Sequence, residues 1–179
     1  MLFSGLPFLY YFLPAVLVCY FAAPRKLKNA VLFVFSLIFY GWGEPRYIAL
    51  MIVSIFSGFV FALMIEKKQS KKSGLILMWI SVAVSLSFLL IFKYADFLIE
   101  NVNQLPGVSL PLFKLSLPIG ISFYTFQIIS YTVDVWRGDT KAQRNIISFG
   151  TYVSLFPQLI AGPIVRYTDI ERELQERKH

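Results

Sequence analysis

The sequence predicts an all-α fold, a polytopic transmembrane helical bundle with about five to six membrane segments, one of them broken or re-entrant. The 179-residue chain is 57% hydrophobic and 15% charged, whereas soluble domains carry about 25% charged residues. Its mean hydropathy is +0.65. Its basic residues lie in short gaps between long uncharged runs, as in membrane proteins. This pattern excludes a soluble enzyme, a disordered tail, a coiled coil and a disulfide-stapled secreted domain.

Six uncharged runs give the predicted membrane segments, because a helix needs about 20 residues to cross the hydrocarbon core. Long runs without polar/apolar alternation indicate helices rather than the strands of a membrane barrel. The second run is short and crosses only with help from flanking residues or a thinned bilayer. No basic residue precedes the first run, so we interpret it as a retained helix rather than a signal peptide. The runs are residues 6–23, 29–43, 47–65, 73–92, 115–133 and 145–165.

The basic residues also predict the orientation. If the first five runs cross, ten basic residues fall in alternate loops and three in the opposite loops. The positive-inside rule then places the richer loops in the cytoplasm and the N-terminus outside the cell membrane. The ten are Arg25, Lys26, Lys28, Lys67, Lys68, Lys71, Lys72, Arg137, Lys141 and Arg144, and the three are Arg46, Lys93 and Lys114.

The sixth run contains two glycines and two prolines, and proline removes a backbone donor and kinks a helix. Either the run crosses fully, or it is broken or re-entrant and leaves the basic residues after it in the cytoplasm. We favour the broken arrangement. In the tail, 168–179, Thr168 and Glu171 form a capping box that starts a cytoplasmic or interfacial helix. Since this helix is cut short, we expect residues 1–179 to be a single membrane domain, the N-terminal part of a longer protein.

The fifth run carries a polar stripe. Gly120, Tyr124, Gln127, Tyr131 and Asp134 are spaced by four, three, four and three residues, so they share one helix face. Lipid would leave the amide and carboxylate without partners, so this face must meet the bundle or a hydrated cavity. Two interpretations stay open. In one, Gln127 forms a hydrogen bond between helices and Asp134 lies at the cytoplasmic rim. In the other, this face lines a substrate path.

Two further observations concern packing and chemistry. Ser54, Gly58 and Ala62 form a stripe of small residues that predicts a helix-packing surface. Cys19 is the only cysteine and His179 the only histidine, so neither a disulfide, a zinc site nor a Ser-His-Asp triad is expected within the chain. The sequence contains no phosphate-binding loop and no hydrolase or metalloprotease motif, and we expect neither a metal nor nucleic acid to bind.

Two long motifs and several short ones resemble the membrane-bound O-acyltransferase family, most closely its alginate O-acetyltransferase branch. The resemblance covers essentially the whole chain, and the two long motifs are specific in combination. The long motifs are residues 117–138 and 156–167, and the short ones are residues 2–4, 39–46 and 92–97.

The resemblance implies transfer of an acyl group, within the cell membrane, onto a hydroxyl. In the alginate branch this means acetylation of an exported polysaccharide together with extracytoplasmic partner proteins, with the acetyl group coming from an acetyl-CoA-type or carrier donor. The family's catalytic histidine lies downstream of 156–167, so no catalytic residue is expected here and the chain alone should be inactive. The residues expected to line the acyl path are Tyr124, Gln127, Tyr131, Asp134, Pro157, Gln158, Gly162 and Pro163.

Three alternatives stay open. One is the teichoic-acid D-alanine transfer protein of the same family, which differs in the acyl group that it moves. Another is a transporter or flippase subunit, which would suit a broken sixth segment. The last is a structural membrane partner without activity.

Overall fold

The computed structural model describes residues 5–68, 71–105, 109–113, 117–161 and 165–175, and every regular element in these ranges is helical. A π-helical turn, Phe8–Phe12, leads into the first α-helix, and single 3₁₀ turns, Arg25–Leu27 and Pro45–Tyr47, precede the second and third. The α-helices are α1 (Leu13–Ala22), α2 (Lys28–Gly43), α3 (Ile48–Glu66), α4 (Lys71–Val102), α5 (Ile121–Arg137), α6 (Ile146–Ser154), α7 (Phe156–Ala161) and α8 (Tyr167–Gln175).

Two segments within the described ranges are long and apolar enough to cross a membrane, Pro45–Glu66 and Lys72–Val102. Phe8–Ala22 and Ile146–Leu159 are apolar but shorter. The outward faces of α3 and α4 are apolar as well, with large side chains such as Phe56 and Trp79 exposed by 58% and 61%. A helix that is apolar both towards its neighbours and away from them is typical of a bundle in lipid.

α3 packs against α4, α5 and α6, while α2 packs against α6 and α1. Close approach to α5 depends on Gly58, where an added Cβ would lie 2.6 Å from Cγ2 of Ile128. Ser54 and Ala62 are buried on the same face. The predicted stripe of small residues is therefore confirmed as a packing surface.

The fourth helix is longer than its uncharged run. α4 continues to Val102 and has 32 residues, which corresponds to about 48 Å of helix. It continues because residues 93–105 contain neither glycine nor proline. The following loop folds back along the helix: the Asn103 side chain exchanges hydrogen bonds of 2.9 and 2.7 Å with the backbone of Leu110, and the Asp96 carboxylate accepts one of 2.8 Å from the Phe113 amide.

The sixth run is broken, as the sequence predicts. α6 ends at Ser154, and Leu155 leaves the helical region with ψ of 112° before α7 begins at Phe156. The break has a simple cause, because Pro157 has no amide hydrogen to donate to the carbonyl of Val153, four residues earlier. The Phe156 amide instead donates to the Ser36 hydroxyl of α2, at 3.4 Å.

The part of the chain between Gln143 and Tyr167, which contains α6 and α7, begins and ends at the same end of the bundle. Gln143, just before α6, donates from Nε2 to the Tyr167 hydroxyl at 2.7 Å, and its backbone amide donates to the Tyr131 hydroxyl at 2.7 Å. Between these points the segment reaches the other end of α5, where Leu159 lies against Gly120. The described residues between Gln143 and Tyr167 therefore trace a hairpin, the α6–α7 hairpin, whose two ends lie together.

The end of the bundle that carries Gln143 also holds the loops with the ten predicted cytoplasmic cations. Glu66, at the end of α3, accepts a hydrogen bond from the Ala142 amide and forms an ion pair with Arg144. The predicted tail helix is present as α8, which begins at Tyr167, so Thr168 lies in its first turn and is not its N-cap. Thr140 donates to the Glu171 carboxylate at 2.8 Å, which attaches α8 to this end.

Candidate functional site

The polar stripe of α5 faces the interior of the bundle. Tyr124 and Tyr131 are fully buried, and Gln127 and Asp134 are exposed by only 2% and 5%. The helix begins after Gly120, whose φ of +75° suits glycine and whose missing side chain makes room for Leu159. The sequence prediction that this face avoids lipid is correct.

The half of this face that lies nearer to Gln143 is occupied by packing. The Tyr131 ring lies 4.7 Å from that of Phe149 and 4.9 Å from that of Tyr167, and its hydroxyl already accepts a hydrogen bond from Gln143. Tyr152 completes the group by donating to the Val165 carbonyl at 3.0 Å. With its ring enclosed and its hydroxyl engaged, Tyr131 is suited to hold the hairpin in place.

Asp134 lies at the edge of the same group, near charged side chains of both signs. Arg166 and Arg137 are close enough to attract its carboxylate, and Asp139 and Asp169 close enough to repel it. One of its oxygens, Oδ2, is buried and forms no hydrogen bond with any described residue. The sequence anticipates Arg137, its neighbour on the helix, whereas Arg166 reaches it only because the hairpin returns.

The other half of the face contains polar atoms without partners. The Tyr124 hydroxyl neighbours that of Tyr40 on α2, yet within the described ranges neither takes part in a hydrogen bond of acceptable geometry. Oε1 of Gln127, one turn further along α5, is also buried and unpaired there. Sequence reasoning missed Tyr40, although Ser36 and Tyr40 mark a polar stripe at helical spacing in an otherwise apolar run.

The short helix α7 bridges α2 and α5 next to these atoms. It is held by ring contacts of Phe156 with Phe8, Phe12 and Phe39, at centroid distances of 5.5–5.8 Å. Gln158 has a buried Nε2 that bonds to no described residue, while Pro157 is exposed. Gly162 and Pro163 lie outside the described residues. Of the eight residues expected to line a path, four therefore carry a buried polar atom without a partner among the described residues: Tyr124, Gln127, Asp134 and Gln158.

This arrangement suits the binding of a neutral polar group. Tyrosine hydroxyls and an amide NH₂ donate hydrogen bonds, which a carbonyl, ester or hydroxyl oxygen accepts. In the part of the chain that the structure describes, no three His, Cys, Asp or Glu side chains converge as metal ligands would. The chemistry available at this place is recognition and positioning.

Comparisons with known proteins connect the chain to O-acetylating enzymes. It is 38% identical over 184 residues to a protein of Pseudomonas syringae and 37% identical over 187 residues to one of Pseudomonas aeruginosa, both named "Probable alginate O-acetylase AlgI". A "Peptidoglycan O-acetyltransferase" of Helicobacter pylori is 27% identical over 208 residues. No protein-family model matches the chain, and no solved structure matches it.

Each of these alignments covers the whole chain but only part of the relative. The chain spans 36%, 35% and 40% of the length of the three relatives, respectively. The match thus extends over all the elements described above, including the polar face of α5 and the hairpin. Along its entire length, the chain is homologous to part of the bacterial alginate O-acetylases, the branch of the membrane-bound O-acyltransferase family that its motifs resemble.

Proposed function

We propose that the chain forms the N-terminal, membrane-embedded part of an O-acetyltransferase that modifies an exported polysaccharide. The observation that carries the proposal is the match of the whole chain to relatives named alginate O-acetylases. In this proposal the chain supplies the helical bundle and part of the path for the acyl group. The proton-transfer histidine implied by the family resemblance lies outside it.

The proposed arrangement has the bundle crossing the cell membrane with its N-terminus outside and its basic loops in the cytoplasm. Support comes from the gathering of the predicted cytoplasmic loops at one end, where Glu66 contacts the loop that carries Arg144. Because Gln143 and Tyr167 meet at this same end, the α6–α7 hairpin enters the membrane from the cytoplasm and returns there. Irregular backbone at this depth is tolerated where it is enclosed by protein.

The proposed path runs beside α5. A cytoplasmic donor, an acetyl thioester of the CoA or carrier type, would reach the buried amide of Gln127 through the bundle. The acceptor polymer and its partner proteins would act on the opposite, extracytoplasmic side. The unpaired Tyr124 hydroxyl and Gln158 Nε2 support this proposal, because they can donate hydrogen bonds to the neutral oxygens of an acyl group. The unpaired Oε1 of Gln127 needs a donor instead, which a hydroxyl of the acceptor can supply.

The experiment compares two glutamine variants of the full-length gene in its own cells. Gln127→Leu removes the buried amide, and Gln104→Leu makes the same change at an exposed loop position. We expect Gln127→Leu to lower the ester-linked acetate released by alkali from the exported polysaccharide, with unchanged membrane insertion, and Gln104→Leu to leave it unchanged. Normal acetate in Gln127→Leu would refute the lining role. An exported polymer without ester acetate in the wild type would refute the function.

A second acceptor follows from the Helicobacter pylori relative, which is named a peptidoglycan O-acetyltransferase. The same cells distinguish the two acceptors. Acetate that stays with the insoluble peptidoglycan after the soluble polysaccharide is removed would identify the cell wall as the acceptor. Acetate found in the soluble fraction would support the polysaccharide.

A further inference from the structure

We infer that the hydroxyls of Tyr40 and Tyr124 form a binding site for the carbonyl oxygen of the acyl group. This inference rests on the proposed function and adds to it two named contacts and the chemical group that they bind. Tyr40 and Tyr124 are exposed by 4% and 0%. Their hydroxyls are neighbours, and neither has a hydrogen-bond partner of acceptable geometry among the described residues.

The position of α7 defines the place where this ligand would lie. At one end of α7, the Phe156 amide meets Ser36, which precedes Tyr40 by one turn of α2. At the other end, Leu159 contacts Gly120, which precedes Tyr124 by one turn of α5. α7 therefore connects the two helices that carry the tyrosines, at positions one turn before Tyr40 and one turn before Tyr124.

The chemical character of the unpaired atoms selects the ligand. A tyrosine hydroxyl has one hydrogen to donate, and so two adjacent hydroxyls can both donate only if an external acceptor is present. Neither hydroxyl is a cation, and two neutral donors suit an uncharged acceptor with two lone pairs, as in the carbonyl of an ester or thioester. A buried donor left unsatisfied is unfavourable, so the site is organised for an oxygen.

The surroundings of the pair favour a group that is apolar apart from its oxygen. Tyr40 and Tyr124 belong to one cluster of buried apolar residues, which also contains Met51 and Ile55. Ile121 and Ile128, which flank Tyr124 on its helix, are both about 1% exposed. A short acyl chain can contact such walls, whereas a sugar ring would leave several hydroxyls without partners.

The test uses the full chain in detergent micelles and a small probe, S-acetyl-N-acetylcysteamine labelled with ¹³C at the thioester carbonyl. Isotope-edited infrared spectra report the carbonyl stretch, which moves to lower wavenumber as the oxygen accepts hydrogen bonds. We expect the bound probe to show a larger downward shift than the probe in empty micelles. Tyr40→Phe and Tyr124→Phe should each reduce that shift, and the double variant should abolish it.

Affinities give a second measure. Each single substitution should weaken probe binding by about 2- to 12-fold, the range for loss of one neutral hydrogen bond. Tyr10→Phe, at a position 70% exposed, is the matched control and should change neither quantity. Thermal unfolding of all variants establishes that they are folded, which is expected because phenylalanine keeps the ring.

The outcomes separate this inference from the proposed function. A wild-type chain that does not bind the probe, or a shift that persists in the double variant, would overturn the carbonyl site. A tyrosine-dependent shift in a protein whose cells make no acetylated polymer would leave the site intact and refute the polysaccharide assignment instead.

Discussion

The two glycines that flank α5 share a backbone conformation but differ in their surroundings, and this pair allows the contact between α5 and α7 to be measured. Gly120 and Gly138 have φ of +75° and +84°. A Cβ added at Gly120 would lie 2.8 Å from Cγ of Leu159, whereas one added at Gly138 would meet nothing within 4 Å. Substitution by alanine at both positions therefore separates backbone strain from overpacking.

The expected magnitudes follow from these two terms. A left-handed conformation costs an L-residue about 1–2 kcal/mol, so Gly138→Ala should lower the free energy of unfolding by about that amount. Gly120→Ala carries the same strain and also an overpacked contact of about 1–3 kcal/mol, which gives a total of about 2–5 kcal/mol. Replacing glycine by alanine also stabilises the folded protein, because it lowers the conformational entropy of the unfolded chain. This effect is the same in both variants, so it cancels when they are compared.

The assay is unfolding in mixed micelles by titration with sodium dodecyl sulfate, followed by circular dichroism. Leu159→Ala provides the third variant, because shortening this side chain relieves the contact with the new methyl group. We expect Gly120→Ala and Leu159→Ala together to be less destabilising than the sum of the two single changes. Equal destabilisation at both glycines, or strict additivity in the pair, would refute the proposed contact between α5 and α7.

Three further outcomes are expected. Tyr152→Phe leaves the Val165 carbonyl without its donor and should lower the free energy of unfolding by about 1–3 kcal/mol, and an unchanged unfolding midpoint would count against this hydrogen bond. Arg144→Gln should lower the free energy of unfolding by less than about 1 kcal/mol, because the arginine of the ion pair is 65% exposed. This loss should be smaller at high salt, and a larger, salt-independent loss would contradict a surface ion pair. Lys67→Cys in a Cys19→Ser background should react with a membrane-impermeant maleimide only in opened cells, and labelling of intact cells would reverse the proposed orientation.

The sequence was sufficient to predict the helical fold, the buried face of α5 and the break in the sixth run. Each of these rests on a local rule: helical periodicity, the cost of placing polar groups in lipid, and the missing amide hydrogen of Pro157. The end of α4 was predicted too early because Lys93 and Asp96 interrupt the uncharged run without interrupting the helix. Charge marks the boundary of an apolar run, whereas glycine and proline mark the boundary of a helix.

The pairing of Tyr40 with Tyr124 was beyond sequence reasoning for a different reason. These residues are 84 positions apart, and their proximity depends on how α2 and α5 pack around the hairpin. The same is true of Arg166, which reaches Asp134 only after the chain has turned back. Contacts of this kind arise from tertiary packing, for which a single sequence offers no periodic signal.

The hydrogen bond between Gln143 and Tyr167 has a consequence for counting compartments along the chain. In the proposed arrangement, a hairpin enters and leaves the membrane on the same side. The chain therefore lies on the same side of the membrane at the end of α5 and at the start of α8. If the bundle spans the membrane as proposed, a reporter enzyme fused after Gln175 should report the same compartment as one inserted next to Gln143.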